Sequence, residues 1–264
     1  MKMASEVKTN GLALPQEMER HTYAIMYEVE GAHWWFAGRR RILESFVARI
    51  VAELNSGGRP ARILDVGCGT GANLEMLAQF GEAEGVDVSE DALRFCRARG
   101  LSKVKLGAAE QLPYEDASFD LVTALDVVEH LDDDLRGLSE MRRVLRPGGR
   151  ALLFVPAFMW LWGVQDDVSN HRRRYTLPEL RERVRAAGFE VERATYANLT
   201  FFAPILAGRL LMRATGARPA SENNINVSAL NGLFGHLFGA ERFWLRRLNF
   251  PFGVSAVCVA RRVE

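Results

Sequence analysis

Three short segments carry the residue types that chemistry needs. In ILDVGCGTGANL, Asp65 precedes Gly67, Gly69 and Gly71, spaced G-x-G-x-G. Glycines let a backbone turn sharply and let a ligand lie against it. A second acid, Asp87 in GVDV, follows about 20 residues on, where a carboxylate can bind ribose hydroxyls. A dinucleotide site wants G-x-G-x-x-G, so that a pyrophosphate sits on the helix N-terminus. Here the third glycine comes one residue early and an acid precedes the first. That acid repels a phosphate and suits a ligand with an ammonium group. A nicotinamide-dependent oxidoreductase is therefore the disfavoured alternative, and a tight turn without ligand is the bland one.

The second segment is DVVEH. Asp126, Glu129 and His130 stand at i, i+3, i+4 and share one helical turn. An imidazole there could act as a base toward a hydroxyl, or simply bond to backbone in a turn. The third, HRRRY, follows tryptophans in WLWGVQDDVSNHRRRY and has a counterpart in HWWFAGRRR near the start. Both join tryptophans to an arginine triplet. His171 and Arg172 are candidate functional groups. Arg173 and Arg174 read as solvated charge or as partners for the DD of VQDD. Trp34 and Trp35 read equally as packing, and for Trp160 and Trp162 packing is the favoured reading.

These segments need a scaffold. Residues 1 to 16 read as a loose tail, and residues 17 to 54 as helix interrupted by GAHWWFAG. NSGGRPA is a linker. RILDVG, EAEGVDV, KVKLGAA, FDLVTALD and RALLFVPA read as strands with helices between them, the last helix ended by Pro-Gly-Gly. Near-continuous apolar strands alternating with helices predict a doubly wound parallel sheet. Ser89 is the expected N-cap of one helix. Thr176 and Glu179 form a capping box for another, with Tyr175 and Leu180 as its staple. FEVERATYA and PFGVSAVCVARRV are the sixth and last strands.

Composition narrows the classes. The chain has 264 residues and a formal net charge of +1, far less basic than a general nucleic-acid binder. Its three cysteines form no CxxC pair, so free thiols in a reducing cytoplasm are expected, without an iron–sulfur site. No apolar run is long enough to span a bilayer, and MKMASEVKTNGLALPQ lacks a signal-peptide core. A soluble cytoplasmic protein is expected, with contact at a membrane surface left open.

LDVGCGTG, GVDVSEDAL, GAAEQLPYEDASFDLV and RPGGRALLFVPA together make the chain resemble the class I S-adenosylmethionine-dependent methyltransferases, most closely their type 11 small-molecule branch. The resemblance implies an α/β fold: a doubly wound, mostly parallel, seven-stranded Rossmann-like sheet, with an N-terminal helical lid and a final antiparallel hairpin. It implies S-adenosylmethionine as cofactor, with Asp65 and the three glycines holding the methionine part. Asp87 would accept from the ribose hydroxyls, and Val88 would pack on the adenine. Ala109 and Glu110 would flank the ring, and Leu125 would line the methyl-transfer centre. Ala108 stands where the family often has Asp, so adenine recognition would rest on backbone or on Glu110.

Nucleic-acid amino-methyltransferases share an Asn- or Asp-Pro-Pro-aromatic tetrad after strand four. This chain has Asp126-Val127-Val128-Glu129, so nucleobase methylation is not expected. The pattern is similar to that of ubiquinone-type O-methyltransferases, some of which bind a divalent metal through acids and a histidine at this spacing. Structural and base roles for His130 are favoured over that one, and no metal ligand is assigned. In this class N-terminal helices and the loop after strand five overhang the cofactor. Arg39 or Arg40 would then pair with its carboxylate. Trp35, Asp126, Trp160 and Arg172 would meet the acceptor, with His130 or His171 as the base.

In LNGLFGHLFGAERFWLRRLNF, the apolar positions Leu230, Leu233, Phe234, Leu237, Phe238, Trp244, Leu245 and Leu248 follow helical spacing, with His236, Arg242, Arg246 and Arg247 largely opposite. A packed cap, a lid or homodimer face, and an interfacial membrane helix are the three readings. Three glycines weaken that helix, so it needs a partner surface. The expected organisation is a tail and helical lid (1–58), a cofactor-binding core (59–198), a helical insertion (199–250) and a last core strand (251–264). The expected activity is methyl transfer to a small molecule, anionic or lipid-linked, at oxygen. A non-methylating member of the fold is the alternative.

Overall fold

The computed structural model describes residues 20–54, 57–216 and 228–264. The tail, the helix start at Glu17 and Asn55–Ser56 of the linker lie outside the described residues. The seven strands are β1 (Ala61–Val66), β2 (Gly81–Asp87), β3 (Val104–Leu106), β4 (Phe119–Leu125), β5 (Leu145–Pro156), β6 (Phe189–Ala197) and β7 (Ser255–Arg262). They form one sheet in the order β3-β2-β1-β4-β5-β7-β6. β7 runs antiparallel to both its neighbours, β5 and β6, and the other pairings are parallel. Every residue of β4 is buried, as a central strand covered on both faces must be.

The helices are α1 (Arg20–Val29), α2 (Trp34–Glu53), α3 (Ala72–Leu77), α4 (Glu90–Ala98), α5 (Asp134–Val144), α6 (Val164–Val168), α7 (Leu177–Ala186), α8 (Phe202–Thr215) and α9 (Asn231–Leu245). Ser89 Oγ caps α4 by accepting from Ala92 N at 3.3 Å. The Thr176–Glu179 capping box is present, and Tyr175 and Leu180 are buried in one apolar cluster. Three boundaries differ from the sequence reading. Trp34 and Trp35 start α2 instead of interrupting a helix, because His33 accepts from Trp35 N and caps it. α5 stops at Val144, before Arg146-Pro147, since a residue preceding proline avoids the helical region. β3 keeps only three residues, and Gly107–Ala109 turn toward the cavity.

α9 packs along α2. A Cβ on Gly38 would lie 2.6 Å from Phe238 Cδ1, so the two helices approach at a distance only glycine allows. Gly235 and Gly239 face Ala37 and Arg41 of α2, which supplies the partner surface those glycines need. The apolar set of α9 divides between two faces. Phe238 and Leu245 are buried, whereas Leu233, Leu237, Phe243, Trp244 and Leu248 are exposed. Glu241, also buried, accepts from Asn198 N at 2.8 Å and Thr200 N at 2.7 Å, tying α9 to the turn before α8. Arg209 of α8 donates to Leu161 O, and Arg213 to Trp160 O and Trp162 O at 2.8 and 2.7 Å.

At the other end of the sheet, Asp120 is buried and accepts from Arg59 at 2.7 and 2.7 Å, Arg62 N at 2.8 Å and Arg146 at 2.9 Å. Burial alone would raise its carboxyl, but these hydrogen bonds outweigh burial and hold it down at about 2. A folded pKa below the ordinary value adds stability that is complete above the ordinary carboxylate range and lost as pH falls through the folded value. Asp120→Asn should therefore cost about 2 kcal/mol near neutral pH, with the deficit shrinking below about pH 4. Urea titrations across that range test this. An equal deficit at every pH would mean the loss comes from packing.

Candidate active site

The cavity opens beyond the carboxyl ends of the parallel strands, where ligands bind in sheets of this kind. Its volume is about 770 Å³. The chain leaves β1 through Gly67, whose φ is +66°; a Cβ there would meet Val127 Cγ2 at 2.5 Å. Asp87, at the end of β2, accepts from Gly69 N at 2.8 Å and Ser89 N at 2.9 Å. It thus holds the glycine loop in shape while facing the cavity.

Gly67, Gly69, Asp87, Val88, Ala109, Glu110, Leu125, Arg39, Trp35, Asp126, His130, His171 and Arg172 all line this cavity. Three predicted site residues are placed differently. Asp65 lies beneath the loop and is not in the wall. Its Oδ1 accepts from Thr123 at 2.7 Å, and burial pushes its carboxyl up to about 7. Gly71 is the N-cap of α3, turned toward Cys96 and Leu101. Trp160 is exposed, stacked on Phe158 and edge-on to Phe202, because its backbone is held outward by Arg213.

The cavity fits an adenosyl cofactor on its own chemistry. No side chain stands where a Cβ of Gly69 would point, so a ligand can lie on the loop. Glu110 Oε2 is buried without a hydrogen-bond partner among the described residues and lies in the wall the adenine would face. Arg39 is buried, 2.8 Å from Asp126 and between the rings of Trp35 and Phe154. Its Nε also has no hydrogen-bond partner among the described residues.

Nothing in the spacing revealed how α1 is fastened. Glu30, buried, accepts from Arg99 at 2.6 Å and from Thr70 of the glycine loop, while its carbonyl accepts from Arg40 at 2.5 Å. With it, Tyr23, Met26 and His33 form the near wall. Glu30→Ala should release α1 and raise the Kd for S-adenosylhomocysteine about tenfold, the worth of one charge-assisted hydrogen bond. Calorimetry reads this, with faster product dissociation in stopped flow; unchanged rates would make the latch purely structural.

Opposite the glycine loop, HRRRY stitches the segment after β5 to the one after β4. Arg172 N donates to Glu129 O at 2.9 Å, and the Arg172 side chain meets Asp132 at 3.0 Å in an exposed pair. Arg173 lies 3.3 Å from Asp134, and Tyr175 donates to Asp134 at 2.8 Å. Arg174 grips Asp166 with two hydrogen bonds of 2.7 and 2.9 Å, so the DD of VQDD does supply a partner. Asp166 also meets His171 Nδ1 at 2.8 Å and accepts from Gly163 N at 2.7 Å. Burial would raise the Asp166 carboxyl, but the bonds to His171 and Arg174 hold it well below the usual range.

Asp126 follows β4 with φ +59°, an uncommon conformation for a non-glycine residue and one that gathers at functional sites. The turn places Glu129 at full burial and His130 edge-on to His171, ring centres 4.7 Å apart. Burial, then the neighbouring His171 and Arg172, push the His130 imidazole down to about 3. Sequence reasoning missed Glu30, the contact of Asp166 with His171, and the roof of the cavity: Phe201 just before α8, Pro204, Ile205 and Met212 from α8, and Phe234 from α9. The near-continuous apolar character of FFAPILAGRLLM was the available signal for that roof.

The strand order, the glycine loop and Asp87 define a class I methyltransferase fold with an adenosyl-cofactor cavity. Residues 64–153 match the family described as Methyltransferase domain. Over 184 residues the chain is 33% identical to an enzyme of Mycolicibacterium smegmatis described as an S-adenosylmethionine-dependent methyltransferase, covering 68% of this chain and 67% of that one. It is 34% identical over 203 residues to the malonyl-[acyl-carrier protein] O-methyltransferase of Methylococcus capsulatus, covering 70% and 71%. The fold is similar to a chain in the complex between the Haloferax volcanii Trm112 methyltransferase activator and a methyltransferase. That likeness has a TM-score of 0.61 at 19% identity and covers 94% of this chain and 100% of the other. The chain belongs to the S-adenosylmethionine-dependent methyltransferases, and its cofactor is S-adenosylmethionine. The nicotinamide alternative falls with that assignment. Among the described residues no helix is long and apolar enough to cross a membrane.

Proposed function

We propose that this enzyme methylates an oxygen of a small acceptor that carries an anionic group and an apolar, lipid-linked part, on the cytoplasmic side. The observation that carries the reading is the His171–Asp166 pair. It faces the glycine loop across one cavity whose roof is apolar. When bound, the cofactor would supply an electrophilic sulfonium methyl group to an acceptor oxygen.

The protein's own groups do the rest. Gly67 and Gly69 cradle the methionine part from backbone, with Asp65 beneath them bonded to Thr123 and holding the end of β1 in place. Asp87 accepts from the ribose hydroxyls through its remaining lone pairs. Val88, Ala109 and Glu110 enclose the adenine, and Arg39 pairs with the cofactor's carboxylate. Leu125 and Trp35 exclude water around the transfer centre. Asp166 fixes the Nδ1–H of His171, which leaves Nε2 as the proton acceptor for the acceptor's hydroxyl. His130, with its depressed pKa, is a poor proton acceptor and serves as a wall and hydrogen-bonding group. Arg172, in a weak exposed pair, is available to an anionic substituent. Most of the rate would come from positioning.

Methyl-labelled cofactor incubated with metabolite and lipid extracts tests this. A labelled product heavier by one methyl group, with the label on oxygen by NMR, is expected. Label on nitrogen or carbon would sink the O-methyl reading, and a product without methyl gain would favour a non-methylating reaction. Flotation with anionic vesicles tests the lipid-linked part, which the exposed Leu233, Leu237, Phe243, Trp244 and Leu248 beside Arg246 and Arg247 support. Light scattering tests the homodimer through the same face.

A further inference from the structure

We propose that α8 seats the enzyme on an anionic bilayer, and that the apolar part of the acceptor enters the cavity beneath this helix from the bilayer. The sequence of α8, FAPILAGRLLMRAT, puts apolar residues on every side of the helix. Such a helix belongs inside a protein or against lipid. Yet of its 14 residues Arg209 alone is buried. Leu210 and Leu211 are 52% and 65% exposed, and Ala203 and Ala207 are exposed with them.

The helix has two apolar faces with different neighbours. Pro204, Ile205, Gly208 and Met212 share the side that roofs the cavity. At about 100° per residue, Leu206 and Leu210 fall on the opposite side. A single helix, about 10 Å across, therefore separates the cavity from the outside. Aromatic residues continue the outer surface. Phe202 is edge-on to Trp160 at 5.9 Å and tilted on Phe252 at 5.0 Å, and both of those rings are half-exposed. A joined apolar surface of this kind marks a place of interaction. An outward indole whose carbonyl is held by an exposed arginine, as Trp160 is held by Arg213, suits the level of lipid headgroups.

Charge selects the bilayer over a second copy of the chain. α8 carries two arginines and no acid, and Arg213 is exposed. Twofold pairing sets the same patch of each copy against the other. It would bring arginine-bearing helices together with no carboxylate on either. An anionic headgroup layer supplies negative charge to Arg213, and acyl chains cover the leucines. The path inward is also apolar. Phe201 lies 4.6 Å from Trp34 and 5.5 Å from Phe234, so a chain passing α8 stays among rings until it reaches the cavity.

This inference rests on the lipid-linked acceptor proposed above and adds the element that meets the lipid. The test uses the full-length chain with S-adenosylhomocysteine bound, floated with vesicles of phosphatidylcholine alone or mixed in equal parts with phosphatidylglycerol. Partition onto the mixed vesicles is expected. L210E and L211E should each lower it about tenfold, the effect of keeping one leucine side chain out of an apolar phase. R213Q should lower it about fivefold, and only on the mixed vesicles. S-adenosylhomocysteine affinity within about twofold of the unmodified chain reports that these variants are folded. Mixed vesicles with a photoreactive diazirine in the acyl chain should cross-link Leu210 or Leu211 and, inside the cavity, Phe201 or Ile205. Absence of partition overturns the proposal, as does partition that L210E and L211E leave unchanged. Cross-links confined to α9 remove α8 as the docking element, and cross-links on its outer leucines alone remove the entry route. A concentration-dependent dimer that L211E dissolves, without vesicle partition, replaces the bilayer by a second copy. If the methylated product is a lipid and α8 carries no cross-link, the role of α8 falls and the lipid-linked reading stands. If α8 is cross-linked and the product is water-soluble, the docking surface stands and the lipid-linked reading falls with the entry route.

Discussion

Replacing His171 by alanine should lower kcat by about 10²- to 10⁴-fold, the range that positioned acid–base groups contribute, while cofactor affinity changes little. The imidazole is the polar group best fixed at the acceptor end. Asp166 holds its Nδ1 at 2.8 Å, and Asp166 is itself immobilised by Arg174 and Gly163 N. Asp166→Asn should lower kcat less but cost more stability, because it strips a buried arginine of its counter-charge, a loss of about 3–5 kcal/mol. The split between turnover and melting temperature distinguishes the two residues. If His171→Ala keeps full turnover, proximity alone drives transfer and the Asp166–His171 pair is architecture.

The second large effect is expected at Asp87. Asp87→Ala removes the acceptor for Gly69 N and Ser89 N and the group facing the ribose. Charge-assisted hydrogen bonds contribute about 1.5–3 kcal/mol each. A net loss of about 3 kcal/mol raises the Kd for S-adenosylmethionine about 100-fold. At saturating cofactor, kcat should recover to within several-fold, since the residue is remote from the acceptor end. Calorimetry and initial rates separate the two quantities. An unchanged Kd would place the nucleoside elsewhere in the cavity.

Local signals carried most of the fold. Ser89 and Thr176 cap where their side chains predict, and buried strands read as apolar runs because both faces are covered. The glycine loop and Asp87 were legible because strand ends fix their positions within a few residues. What stayed hidden depends on segments that meet only in space. Glu30 reaches Thr70 and Arg99 across 40 and 69 residues of chain, and the Asp166–His171 contact, though local, depends on a loop conformation that spacing does not specify. Trp160 misled because an aromatic beside a site is as readily turned outward by its backbone contacts. On α9, one helical periodicity served two faces, and spacing alone does not say which face meets α2.

The position of β7 has a consequence for synthesis. It is the last strand in sequence yet sits between β5 and β6, pairing with both along their length. Until it leaves the ribosome, the chain displays one long apolar edge on β5 and a stranded β6, the kind of surface that recruits other chains. Completion of the sheet therefore has to wait for β7. The enzyme's yield in cells should respond to chaperone capacity and to translation speed through the α8–α9 region.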